Sequence, residues 1–166
     1  MAEAYHQPVL VEEVCTALVP CLREVEGCRN GRPARVLVDA TCGGGGHTLA
    51  LLQAGRPDVV VALDRDSDAI SETGRKLAAP AAALEVELHL IHAPNAQLST
   101  VLAELGVTKV SALLADLGVS SHQLDSGPRG FSFRQPAPLD MRMDRRVGLT
   151  AAQVLATIDE SDLAKI

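Results

Sequence analysis

The chain has 166 residues, 47% of them apolar, and a formal net charge of −6. That length suits one domain with a sizeable core, and no stretch has the apolar run that a membrane span needs. The negative balance excludes a domain that grips nucleic acid by overall charge.

The start, Met1-Ala-Glu-Ala-Tyr5, carries neither the basic nor the apolar region of a signal peptide and is not an Arg-rich transit sequence. Val9 to Val19 has the period of an amphipathic opening helix. Arg35-Val-Leu-Val-Asp39 is a β-branched run ending on a carboxylate, which predicts a strand over 36–39. It leads into Asp39-Ala-Thr-Cys-Gly-Gly-Gly-Gly-His47-Thr48, and a helical pattern follows over 47–54. Glycines at 43–46 permit positive φ and let a ligand approach the backbone, and the helix start behind them suits an anionic or polar ligand. A plain tight turn is the alternative.

Further on, residues 58–63 predict a second strand and 66–78 a second helix, with the Ala/Pro stretch 78–83 as a connector. Residues 87–91 predict a third strand, 96–105 a third helix and 110–115 a fourth strand. Alternating β-α units with near-continuous apolar strands imply an α/β fold, a Rossmann-like parallel sheet covered on both faces. From Asp116 the pattern gives way to a long loop rich in Gly, Pro, Arg and Asp, then a short helical piece from Leu149. Loops of that length in compact domains are functional or disordered. Four strands leave an edge uncovered, so the chain reads as a truncated form of a longer protein. The expected division is a cofactor-binding domain over 1–124 and a substrate-facing segment over 125–166.

Cys15, Cys21, Cys28 and Cys42 form no C-x-x-C pair, as free thiols in a reducing compartment would be. His6, His47, His89, His92 and His122 lack the spacing of zinc ligands, so no metal is expected.

Two cofactors compete for this layout. The dinucleotide fingerprint wants a third glycine where Thr48 stands, and Asp39 before the loop would repel a pyrophosphate. A carboxylate there suits the ammonium group of S-adenosylmethionine instead. Leu63-Asp64-Arg65-Asp66 closes the second strand with an acid placed to accept ribose hydroxyls, while Asp66 suits a helix N-cap. The fourth strand runs into Asp116, so Asp39, Asp64 and Asp116 can meet at the carboxyl ends of three strands. Arg129, Arg134, Arg142, Arg145 and Arg146 are one candidate for a local basic patch. Its alternative is a solvated loop pairing with its own Asp140 and Asp144.

The motifs taken together resemble the small-subunit ribosomal RNA cytosine-N4 methyltransferase family (RsmH, or MraW, and its organellar relatives). They are His6-Gln-Pro-Val-Leu10, the glycine loop, Leu63-Asp-Arg-Asp66, Asp116-Leu-Gly-Val-Ser-Ser121-x-Gln123-Leu-Asp125, Arg129-Gly-Phe-Ser-Phe133 and Pro138-Leu-Asp-Met-Arg-Met-Asp144. The last two are the most specific, and the set spans nearly the whole chain in order. The resemblance implies S-adenosylmethionine as methyl donor, held by Gly43, Gly45, Gly46 and His47, by Asp64 at the ribose, and by Asp116 and Gln123. Asn95 stands where the family usually has a phenylalanine against the adenine, so a hydrogen bond replaces stacking there. His122 stands where bacterial members often have proline. Family members are considerably longer, and this chain stops inside their helical insertion.

The implied reaction is methyl transfer to the N4 amine of a cytosine in small-subunit ribosomal RNA. Asp116 is the candidate catalytic carboxylate. Phe131 and Phe133, flanked by Arg129 and Arg134, are the candidates for holding single-stranded RNA, with Arg142 as a further candidate; the alternative is that both rings anchor the loop and that Arg142 pairs with Asp140 or Asp144. The implied setting is the cytoplasm, or a mitochondrion or plastid for an organellar relative. The competing readings are an inactive cofactor-binding fragment that serves as a binding module, and a dinucleotide-dependent oxidoreductase.

Overall fold

The computed structural model describes residues 8–120, 123–124, 127–134 and 136–165. Tyr5, His6, Ser121, His122 and Asp125, singled out above, lie outside them. The chain forms two compact units, Met1–Gly118 and Val119–Ile166.

In the first unit, α1 (Val11–Arg23) precedes β1 (Gly27–Arg29), β2 (Arg32–Ala34) and β3 (Val36–Asp39). Then come α2 (Gly46–Gly55), β4 (Val59–Asp64), α3 (Ser67–Ala83) and β5 (Glu87–His92). A 3-10 turn (Asn95–Gln97), α4 (Leu98–Glu104), β6 (Val107–Lys109) and β7 (Ala112–Leu114) complete it. Among the described residues β5, β4, β3 and β7 lie side by side in that order, all parallel. This is the expected α/β arrangement, with β3, the first strand of that sheet along the chain, in the interior and the crossover helices on the faces.

The strands are apolar at nearly every position because both faces are covered. Leu37, Val60, Ala62 and Ala112 point to one side, where they pack with Val19 and Leu22 of α1, Leu51 and Leu52 of α2, and Ala81 of α3. Val36, Val38, Val59, Val61 and Leu63 point to the other, against Val101 of α4 and Val107. The alternation is the two-residue period of a strand read against two cores.

Two expectations are corrected, and one element was not foreseen. Residues 78–83 are no connector: α3 runs through Pro80 to Ala83. Pro80 costs an intrahelical hydrogen bond, but the flanking alanines favour helix, and Leu77 and Ala81 bury their face in the core. The strand expected at 110–115 is shorter, β7 over Ala112–Leu114, and a separate short strand, β6, precedes it. Ser111 Oγ accepts from the amides of both Gly27 and Val36, and the chain changes sheets there, with β6 antiparallel to β1 and β7 parallel to β3. The hairpin β1–β2 was not anticipated at all. Its turn is Asn30-Gly31, with φ of 50° and 73°, between the directly paired Arg29 and Arg32. Asn-Gly is the strongest short hairpin signal because both turn positions need positive φ.

The second unit holds a 3-10 turn (Gly127–Arg129), α5 (Ala151–Thr157) and α6 (Glu160–Leu163). Thr150 opens α5 with a capping box to Gln153. No helix among the described residues is long and apolar enough to cross a membrane.

Candidate functional site

The glycine loop leaves β3 at its carboxyl end and is tied down by acids and hydroxyls from four directions. Asp39 is 1% exposed. Its Oδ1 accepts from the Thr41 amide at 3.1 Å and its Oδ2 from Thr48 Oγ1 at 2.5 Å. Burial pushes its pKa up to about 6, against those two hydrogen bonds, and the charges of Asp64 and Asp116 add to the rise. Asp64, at the end of β4, accepts from the Gly43 amide (2.8 Å) and the Asp66 amide (2.9 Å). Burial raises its pKa as well, with those amides opposing. Asp66 caps α3 as expected, accepting from Asp68.

Asp116 follows β7. Its amide donates to Thr41 Oγ1 at 2.7 Å, and its side chain is largely exposed. His47, in the first turn of α2, places Nε2 3.8 Å from Asp116 Oδ2, too far for a hydrogen bond. Its buried Nδ1 has no hydrogen-bond partner among the described residues. The three acids therefore do meet around one loop, at the carboxyl ends of three neighbouring strands. Asn95 lies exposed at the start of the 3-10 turn, three residues beyond β5.

Two glycines of the loop are there for space. Gly45 has φ +72°, and a Cβ on it would stand 3.0 Å from Thr73 Oγ1; a Cβ on Gly46 would strike the ring of Pro8. Gly43, at φ +51°, has open space on that side. Thr73 also donates to the Gly43 carbonyl at 2.9 Å. Sequence reasoning missed Thr73. It was visible as the one polar residue on the buried stripe Ala69, Thr73, Leu77, Ala81, spaced four apart on α3. The Thr41 hydroxyl carried no signal, because its partner, the Asp116 amide, lies 75 residues away.

The donor set fits a cation better than an anion. Three carboxylates surround the loop, and their mutual repulsion contributes to the raised Asp39 pKa. A positively charged ligand relieves that repulsion, whereas a pyrophosphate adds to it.

In the second unit, Gln123 is buried, its Oε1 accepting from the Ser120 amide and its own amide donating to Ser120 Oγ. Arg129 is 3% exposed; its Nη2 donates to the carbonyls of Arg142 and Met143, and its guanidinium lies 6.0 Å from the Phe131 ring centre. Arg142 forks onto both oxygens of Asp140, whose pKa it holds down at about 2. Arg146 grips Asp144 in the same way. Phe133, by contrast, is fully exposed. Arg129, Arg142 and Arg146 are thus engaged within the loop, while the Phe133 ring is left presented.

Comparison with known proteins places this architecture. Residues 3–166 match the model of the MraW methylase family. The chain is 48% identical over 161 residues to a ribosomal RNA small subunit methyltransferase H from Frankia alni, covering 97% of this chain and 46% of that protein. It is 44% identical to the protein of the same name from Syntrophotalea carbinolica, over 97% of this chain and 47% of that one. The Streptomyces avermitilis counterpart is 42% identical, over 100% and 48% respectively. The chain thus spans about half the length of the curated relatives it matches.

Proposed function

The chain belongs to the MraW methylase family, and from that membership we propose that it acts in S-adenosylmethionine-dependent methylation of small-subunit ribosomal RNA, at the N4 amine of a cytosine. The observation that carries this reading is the ring of Asp39, Asp64 and Asp116 around the glycine loop at three strand ends. The names of the relatives support the choice of substrate. Residues 1–124 hold the cofactor, and 125–166 face the RNA, in the cytoplasm where small subunits are assembled.

When bound, S-adenosylmethionine supplies a methyl carbon on a positively charged sulfur that leaves as a neutral thioether. Asp64 accepts from the ribose hydroxyls with the lone pairs that the Gly43 and Asp66 amides leave free. Gly43, Gly45, Gly46 and His47 would hold the methionine end and Asn95 would hydrogen-bond the adenine, and the family resemblance adds Gln123 as a further cofactor residue. Asp39 carries its charge beneath the loop and acts by fixing Thr41 and Thr48.

The target nitrogen is a poor nucleophile because its lone pair is delocalised into the ring. Asp116 accepts a hydrogen bond from that amine, draws the nitrogen toward sp³ and takes the surplus proton. The base has to leave its stack to reach the acid. Phe133 offers the exposed face for it, with Phe131 and Arg129 bracing the loop and Arg142 near the RNA backbone.

The test is calorimetric titration with S-adenosylmethionine, with NAD as control, followed by methyl transfer to small ribosomal subunits. Asp64→Ala is expected to abolish cofactor binding. Asp116→Asn is expected to cut turnover by about a hundredfold or more. Full turnover by Asp116→Asn removes the catalytic role, and wild-type cofactor binding without transfer makes the chain a binding module.

A further inference from the structure

At the opposite end of the parallel sheet from the three acids, the β1–β2 hairpin overhangs the starts of β4 and β5. A cavity of about 450 Å³ lies there, lined by Arg29, Asn30, Arg32, Ala34, Val59 and Glu87. We infer that it is a contact site for a phosphodiester group of substrate RNA, with Arg32 as the recognising cation. This rests on the RNA substrate proposed above and extends the footprint well beyond the reacting base. β4 alone separates the two ends by about 17 Å at 3.3 Å per residue.

The charge pattern carries the argument. Arg29 and Arg32 are a directly facing cross-strand pair beside the turn, and like charges in that position destabilise a hairpin. Glu87 relieves one of them. It forms an ion pair with Arg29, whose Nε also donates to the Leu105 carbonyl, and its other oxygen lies 3.1 Å from His89 Nε2. Burial and the Arg29 charge keep the His89 pKa low, so His89 adds no positive charge near neutral pH. Next door, Asp58 is fully engaged by the guanidinium and amide of Arg35.

What remains is Arg32, exposed and with no ion pair among the described residues. In a chain of net charge −6, this end of the sheet therefore carries a local positive excess facing an open cavity. A phosphate meets what the site lacks. It gives the Arg32 fork two acceptor oxygens and relieves the repulsion from Arg29. The cavity has only Ala34 and Val59 as apolar lining and no aromatic ring to stack a base, so the chemistry recognised is backbone phosphate and carries no sequence preference.

The experiment measures binding of a fluorescently labelled single-stranded RNA oligonucleotide by anisotropy over a series of salt concentrations. It compares wild type, Arg32→Gln and Lys109→Gln. Lys109 is an exposed cation of the same small sheet that does not line the cavity, so its loss matches the charge change. Arg32→Gln is expected to weaken binding severalfold and to lower the slope of log affinity against log salt by about 0.7, one phosphate contact on a single strand. Lys109→Gln is expected to leave both unchanged, and all three proteins should bind S-adenosylmethionine equally. An unchanged slope in Arg32→Gln, or an equal loss in Lys109→Gln, overturns the site. So does millimolar inorganic phosphate that displaces the RNA from wild type as well as unlabelled RNA does, which would mark a small-anion pocket. If Phe133→Ala weakens RNA binding while Arg32→Gln does not, the RNA reading stands and the hairpin site falls. If wild type binds cofactor but no RNA, both fall together.

Discussion

The glycine loop at 39–48 and the arginine loop at 127–148 are both glycine-bearing and charged, yet they are held in opposite ways. The first is fixed by bonds that cross the sequence: Asp64 to Gly43, Thr73 to Gly43, Asp116 to Thr41. The second is fixed mainly by bonds between near neighbours: Arg142 to Asp140 and Arg146 to Asp144, each two residues apart. A loop tied to the ends of three strands cannot move unless the sheet moves. A loop folded on its own ion pairs keeps its shape without a core and can leave a large ring such as Phe133 in solvent. The lesson is that the proposed cofactor side is pre-organised by tertiary structure, while the proposed RNA side is assembled locally and kept available.

That contrast makes quantitative expectations. The largest concerns Asp39. Its folded pKa of about 6 lies above the ordinary aspartate value of 3.8. The folded state therefore holds the proton more tightly, and stability from this group falls as pH rises from about 4 to about 6 and is level above that. At 1.36 kcal/mol per pKa unit the loss is about 3 kcal/mol. Denaturant unfolding across pH should show Asp39→Asn gaining on wild type by about that amount through this window. A difference that stays flat would mean that the loop is not closed over a buried acid.

Next comes Gly45→Ala. The left-handed backbone costs a side chain about 2 kcal/mol, and the new methyl group meets Thr73. The variant should unfold earlier by that amount and lose cofactor affinity with it. Equal stability would mean that Thr73 and α3 give way, and the loop is less rigid than its bonds imply.

The smallest effect sharpens the other side of the comparison. Phe133→Ala removes a fully exposed ring, so its stability should stay within about 0.5 kcal/mol of wild type. RNA affinity should still drop about tenfold, since stacking is worth about 1–3 kcal/mol per base. A clear loss of stability would show that the ring anchors the loop, as Arg129 does.

Much of the first unit is legible from residues alone. The β-branched runs at 36–39 and 59–64, the four-glycine loop, and the acids at 39, 64 and 116 are local patterns, and a strand or a positive-φ turn is chosen by its own residues. The Asn30-Gly31 hairpin was equally legible as a turn signal. The helix through Pro80 was not, because alanine propensity and burial of Leu77 and Ala81 together outweighed a local breaker. Nor was the sheet change at Ser111, since it depends on amides 84 and 75 residues away.

By itself, then, the sequence determined the alternation of the parallel strands with their helices, the chemistry gathered at the strand ends and the resemblance that names the family. Tertiary structure alone decided how that chemistry is deployed. It turned Asp39 inward to brace the loop, recruited Thr41 and Thr73 to hold it, spent Arg129 and Arg142 on their own loop, and left Arg32 and Phe133 outside. The physical reason is that a side chain's type sets which bonds it can make. Whether those bonds go to its own backbone, to a distant strand or to a ligand depends on which groups the fold brings within about 3 Å of it.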